Sequence, residues 1–116
     1  GFLLNINGVK IFHCGDSNED GIAEYEYFRL DKENIDIAFI NRGFIWELNC
    51  KGVELVKNYI NPKHIVLMHI HHDEYNEYNE IGNQLKNKFA SIKIFKSEME
   101  TINYALEWII IFSLFV

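Results

Sequence analysis

Pro62-Lys63-His64-Ile65-Val66-Leu67-Met68-His69-Ile70-His71-His72-Asp73 decides how the chain is read, because a short apolar run feeds directly into most of its histidines. Residues 64–68 follow a proline that ends whatever precedes it. They are too few for a core helix, so they predict a buried β-strand. His69 falls where that strand stops. In open α/β sheets ligands bind in the crevice beyond the carboxyl ends of the strands, which puts His69, His71, His72 and Asp73 where chemistry is expected.

Working outward, residues 2–6 and 9–14 are apolar runs flanking Asn7-Gly8, a pair that tolerates positive φ and predicts a β-hairpin. The second run enters a polar, glycine-bounded loop over residues 15–21, which places Asp16 just past a strand end, as His69 is. Ile22, Tyr25 and Phe28 then recur at helical spacing up to Asp31, and residues 35–40 form another continuous apolar strand. After a long loop carrying Arg42, Gly43, Trp46 and Cys50, residues 52–60 read as a helix with Val53, Val56 and Ile60 on one face, stopped by Asn61-Pro62. Beyond the His69 strand, Tyr75, Tyr78, Ile81, Leu85 and Phe89 mark the core stripe of an amphipathic helix over about residues 74–89. Ile92 and Ile94 lie in a closing strand. A hairpin followed by alternating helices and strands is an α/β pattern.

Composition narrows the function classes. The 116 residues, 48% hydrophobic and 15% aromatic, suffice for one core and give no sign of a linker or internal repeat. A formal charge of −6 and a pI near 5.3 argue against a nucleic-acid-binding surface, which draws on clustered Lys and Arg. Cys14 and Cys50 make neither a CxxC pair nor a disulfide framework, so a reducing, cytoplasmic setting is expected. The chain opens on a strand-like run without an initiator methionine or signal peptide, and a fragment of a longer protein is expected. Residues 105–116 are nearly all apolar but fall far short of the ~20 residues that span a bilayer, so no membrane partner is expected. This tail reads as a final helix or strand packed on the core, the alternative being a truncated membrane or partner-binding segment, and it is set apart from a main unit over residues 1–104.

Several of these segments together resemble a known family. Gly8-Val9-Lys10-Ile11-Phe12-His13-Cys14-Gly15-Asp16-Ser17, a short helix, Asn34-Ile35-Asp36-Ile37-Ala38-Phe39-Ile40, a helix ending Asn61-Pro62-Lys63, and Ile65-Val66-Leu67-Met68-His69 look like the C-terminal half of a metallo-β-lactamase-fold hydrolase, closest in style to its lactonase-like branch. The resemblance spans roughly residues 2–96 and rests on the order and spacing of short motifs. It implies half of an αββα sandwich. It also implies that Asp16, after Gly15, bridges two metal ions, zinc most often, and that His69 supplies a last histidine ligand. A metal-bound hydroxide would then attack an ester, lactone, amide or phosphodiester of a small-molecule substrate. The family's HxHxDH signature belongs to an N-terminal half that these residues do not contain. The resemblance therefore implies either an enzyme fragment, inactive alone and completed by an N-terminal half-domain, or a degenerate, non-catalytic module acting in binding or homo-oligomerisation.

Other readings of the same residues stand beside this one. His69-Ile70-His71-His72-Asp73-Glu74 comes within one residue of HxHxDH itself, which would make His69, His71 and Asp73 first-half ligands, although Glu74 breaks the signature and Gly15-Asp16 lies upstream of it. Asp16 could serve as a turn former, Asp73 reads better as a helix N-cap, and His69 alone would read as a core histidine. His71 and His72 read as solvated or supporting residues, with His71 the nearer to a metal. Since neighbours in a strand face opposite ways, only one of His13 and Cys14 can face the core. A generic doubly wound domain would have one parallel sheet, which the opening hairpin disfavours.

Overall fold

The computed structural model describes residues 1–106 and 110–115. β1 (Phe2–Ile6) and β2 (Val9–His13) pair antiparallel across Asn7-Gly8, where φ is 51° and 89°. Those left-handed values match a two-residue hairpin turn, and they are why Asn-Gly stands there. β3 (Ile37–Asn41), β4 (His64–Met68) and β5 (Ser91–Ile94) then add in parallel, giving a mixed five-stranded sheet in the order β1-β2-β3-β4-β5. The chain is therefore an α/β domain, with the hairpin as the antiparallel element at one edge.

Each parallel step needs a crossover, and three helices supply them: α1 (Ile22–Phe28), α2 (Lys51–Leu55) and α3 (Tyr75–Gln84). Strand alternation sends Phe12, Ala38, Ile40, Ile65 and Leu67 to the face these helices cover, where they meet Tyr25, Val53, Val56, Tyr78 and Phe89 in the main core. On the other face Ile37 and Val66 pack against Tyr104. Tyr104 belongs to β6 (Thr101–Leu106), which pairs antiparallel with β7 (Ile110–Phe115) as a separate two-stranded sheet. Burial on both faces explains why the central strands read as unbroken apolar runs.

The structure adjusts several expected boundaries. α1 stops at Phe28 because Arg29 turns left-handed at φ 50°, and a 3₁₀ turn over Leu30–Glu33 takes its place. α2 widens into a π-helical turn over Val56–Ile60 before Asn61, at φ 49°, ends it ahead of Pro62. α3 ends at Gln84, five residues short of Phe89, although Leu85 and Phe89 both remain buried. β6 begins ahead of the apolar tail and runs through residue 104 into 105. Residues 107–109 and 116 lie outside the described residues. Among the described residues no helix is long and apolar enough to cross a membrane.

Close packing of α2 on the loop after β3 gives a sharp test. A Cβ on Gly52 would collide with the Phe44 carbonyl and sit 2.8 Å from the Phe44 Cα. Helix propensity alone would make Gly52→Ala stabilising by about 1 kcal/mol. Because the obstacle is backbone, the substitution is expected instead to destabilise by roughly 3 kcal/mol in a urea titration. A stabilised variant would contradict this packing.

Candidate functional site at the carboxyl edge of the sheet

The tip of β2 is fixed by a chain of hydrogen bonds. Cys14 N–H donates to Phe39 O at 3.0 Å, carrying the parallel ladder one residue past β2. The Cys14 thiol is fully buried, accepts from Asn41 N–H at 3.1 Å and donates to Gly15 O at 3.2 Å, so it latches β2 to the end of β3. Burial pushes this thiol's pKa up, with the Asn41 contact pulling partly back, and it is a packed sulfur and not a nucleophile. Ser17 Oγ donates to Cys14 O at 2.8 Å, which leaves its oxygen to accept from the Tyr25 hydroxyl at 2.5 Å. Gly15, at φ 65°, then turns the chain so that Asp16 projects into solvent with 96% of its side chain exposed.

β4 ends in a comparable turn. His69 sits at φ 61°, a left-handed conformation that a non-glycine residue adopts at some cost. The turn aims the imidazole back across the end of β3, and His69 Nε2 lies 3.6 Å from Asp16 Oδ1. Residues 53 positions apart in sequence, on strands separated by β3, are thus brought into contact range. The segment after His69 is tied down from outside: Glu74 Oε2 accepts from His71 N–H at 3.1 Å, while its Oε1 accepts from Arg42, which follows β3. Glu74, the residue that broke the HxHxDH reading, therefore clamps the loop. The helical turn there spans His72–Glu74 with His71 as its N-cap, so Asp73 lies inside it instead of capping it.

Asp16 and His69 border an open cavity of about 990 Å³ that continues onto the sheet face opposite the helices, with Phe39, Val66 and Phe95 among its apolar lining and His71 and His72 at its rim. His13 also lines it, which the sequence reading did not anticipate. Cys14 took the core side, so His13 took the other, stacked between Phe2 (centroids 5.0 Å) and Phe39 (5.7 Å). Its Nδ1 accepts from Gly15 N–H at 3.0 Å, so in the neutral ring the proton sits on Nε2. The strand alternation of residues 2, 13 and 39 was the available signal, since cross-strand register sets them side by side. His64 lies at the far end of β4, hydrogen-bonded through Nδ1 to Ser91 Oγ at 2.8 Å and tilted against Tyr104. Burial lowers its pKa, with the Asp36 carboxylate opposing.

Two donors of this kind suit zinc, which takes imidazole nitrogen and carboxylate oxygen, and neighbouring ligands of one tetrahedral ion stand roughly 3.3 Å apart, close to the spacing observed. Among the described residues, no third His, Cys, Asp or Glu completes a cluster with them. No protein-family model matches the chain. No solved structure matches its fold.

The left-handed His69 separates side-chain loss from backbone strain. His69→Gly and His69→Ala remove the same imidazole, but only glycine relaxes at φ 61°. The glycine variant is expected to be more stable than the alanine variant by about 1 kcal/mol in chemical denaturation. Equal stabilities, or the reverse order, would mean that the turn is not held as described.

Proposed function

We propose that this chain is the C-terminal half of a metal-dependent hydrolase of the metallo-β-lactamase fold, with Asp16 and His69 as metal ligands. The observation that carries the reading is the 3.6 Å approach of Asp16 Oδ1 to His69 Nε2 at the carboxyl edge of the sheet, at the mouth of a ligand-sized cavity. Further support comes from the layer order, with helices on one face of a mixed sheet and apolar side chains on the other. That second face is where an αββα sandwich would seat its other sheet. Zinc bound at such a site lowers the pKa of water to ~7 and polarises a carbonyl or phosphoryl oxygen. The chain's own contributions are separate from that. Asp16 offers two oxygens on an exposed side chain, His69 offers Nε2 beside them, and the Arg42–Glu74 clamp keeps the His69–His72 segment from swinging away. Phe39, Val66 and Phe95 give the substrate a dry wall.

A second reading is a non-catalytic module of the same fold, acting in binding or oligomerisation. The exposed apolar side chains of Phe2, Leu4 and Ile6 favour it. The presence or absence of an HxHxDH segment upstream in the same reading frame separates the two.

Two ligands out of four should yield about half the 10–16 kcal/mol of a complete zinc site, a dissociation constant between about 1 μM and 0.2 mM for the chain alone. Calorimetry with zinc should find this weak binding lost in both Asp16→Ala and His69→Ala, and the 116-residue chain should not hydrolyse ester or lactone substrates. In the full-length protein each substitution is expected to cut metal-dependent hydrolysis by at least about 100-fold. Unchanged activity in either variant would refute the assignment.

A further inference from the structure

We propose that β1 is a self-association edge, through which two copies of this chain pair β1 against β1, antiparallel, about a two-fold axis at Leu4. The inference is independent of the metal site. β1 ends the strand order, and among the described residues it is hydrogen-bonded on one side only, to β2. All five of its residues are exposed, including Phe2 at 53%, Leu4 at 44% and Ile6 at 44%. Edge strands are normally guarded by lysine, proline or a bulge. Phe-Leu-Leu-Asn-Ile has none of these, whereas the opposite edge, β5, carries Lys93.

The hairpin dictates which backbone groups are free. A two-residue turn makes Ile6 and Val9 the closing hydrogen-bonded pair, so Leu4 and Phe2 also direct their N–H and C=O toward β2. Leu3 and Asn5 therefore present theirs outward. Pairing about Leu4 sets Leu3 of each copy opposite Asn5 of the other, so that every outward group on these two residues finds a partner. On the face shared with Ile11 and His13, Leu4 meets its own counterpart and Phe2 meets Ile6, apolar against apolar at each position. This self-matching pattern selects a second copy as the occupant over a foreign strand. The seam contains no charge, but each copy carries −6, so salt should strengthen the association by screening. A five-residue seam is short, and a transient dimer is the expected product.

Sedimentation of the chain at about 100 μM should show a doubled mass that falls toward the monomer on dilution and persists better in high salt. Leu3→Pro deletes an outward N–H without touching the β1–β2 ladder and is expected to sediment as a monomer with an unchanged circular dichroism spectrum. Should that variant misfold, Leu4→Lys serves the same end by placing like charges opposite each other. Leu4→Cys should oxidise to a covalent dimer faster than an exposed control, Thr101→Cys, while Cys14 and Cys50 stay buried and unreacted. A wild-type monomer at this concentration, a dimer surviving in folded Leu3→Pro or Leu4→Lys, or equal cross-linking of the two cysteine variants would overturn the proposal.

Discussion

The parallel register of β2, β3 and β4 is the constraint on which the other features depend. Because these strands run the same way, their carboxyl ends emerge along one edge, and the residues that follow them are brought together whatever their distance in sequence. The opposite edge is pinned by Asp36. Its N–H donates to Lys10 O at 3.0 Å and its carbonyl accepts from His64 N–H at 2.9 Å. Its two carboxylate oxygens accept from Lys10 N–H and Lys63 Nζ, each at 2.9 Å. One buried residue thus fixes the starts of β2 and β4 relative to β3. A slip of one residue in either ladder would turn every buried side chain of that strand to the wrong face. It would also move Asp16 and His69 apart.

The tips of the two outer strands of this trio use the same device with different residues. Gly15 reaches its left-handed φ at no steric cost, and its neighbour Asp16 is delivered to solvent. His69 takes a similar φ while also carrying the ring that approaches Asp16. A residue that bears both strain and chemistry is a more specific pointer to a site than exposure alone. The surrounding bonds oppose relaxation of that strain. Cys14 and the Tyr25–Ser17 chain stiffen one side, and the Arg42–Glu74–His71 linkage stiffens the other.

Local signals carried most of the fold. Asn7-Gly8, Asn61-Pro62 and the apolar runs at 35–40 and 64–68 each have a direct physical reading, and each marks an element or a stop in the structure. What escaped the sequence depended on contacts between distant segments. The widening of α2 into a π turn has no local signal in Val56–Ile60. β7 comes from a tail whose continuous apolar character suits a helix or a strand equally, and β6, its partner, begins ahead of that tail. At the site, the Asp16–His69 contact was an expectation from resemblance, and the spacing between them is now a property of the sheet. Strand alternation gives only one of His13 and Cys14 to the core, as observed; that His13 on the other face lines the cavity, and that Glu74 clamps the loop, depend on contacts between distant segments.

If the two strand tips share an ion, one imidazole should report it before the others. The direct measurement is the long-range proton–nitrogen NMR spectrum of the histidine side chains during a zinc titration. Nε2 of His69 is expected to shift to a metal-bound position while His13, His71 and His72 change little, and Asp16→Asn is expected to suppress the response. A response centred on another histidine, or one that Asp16→Asn leaves intact, would contradict a shared ion.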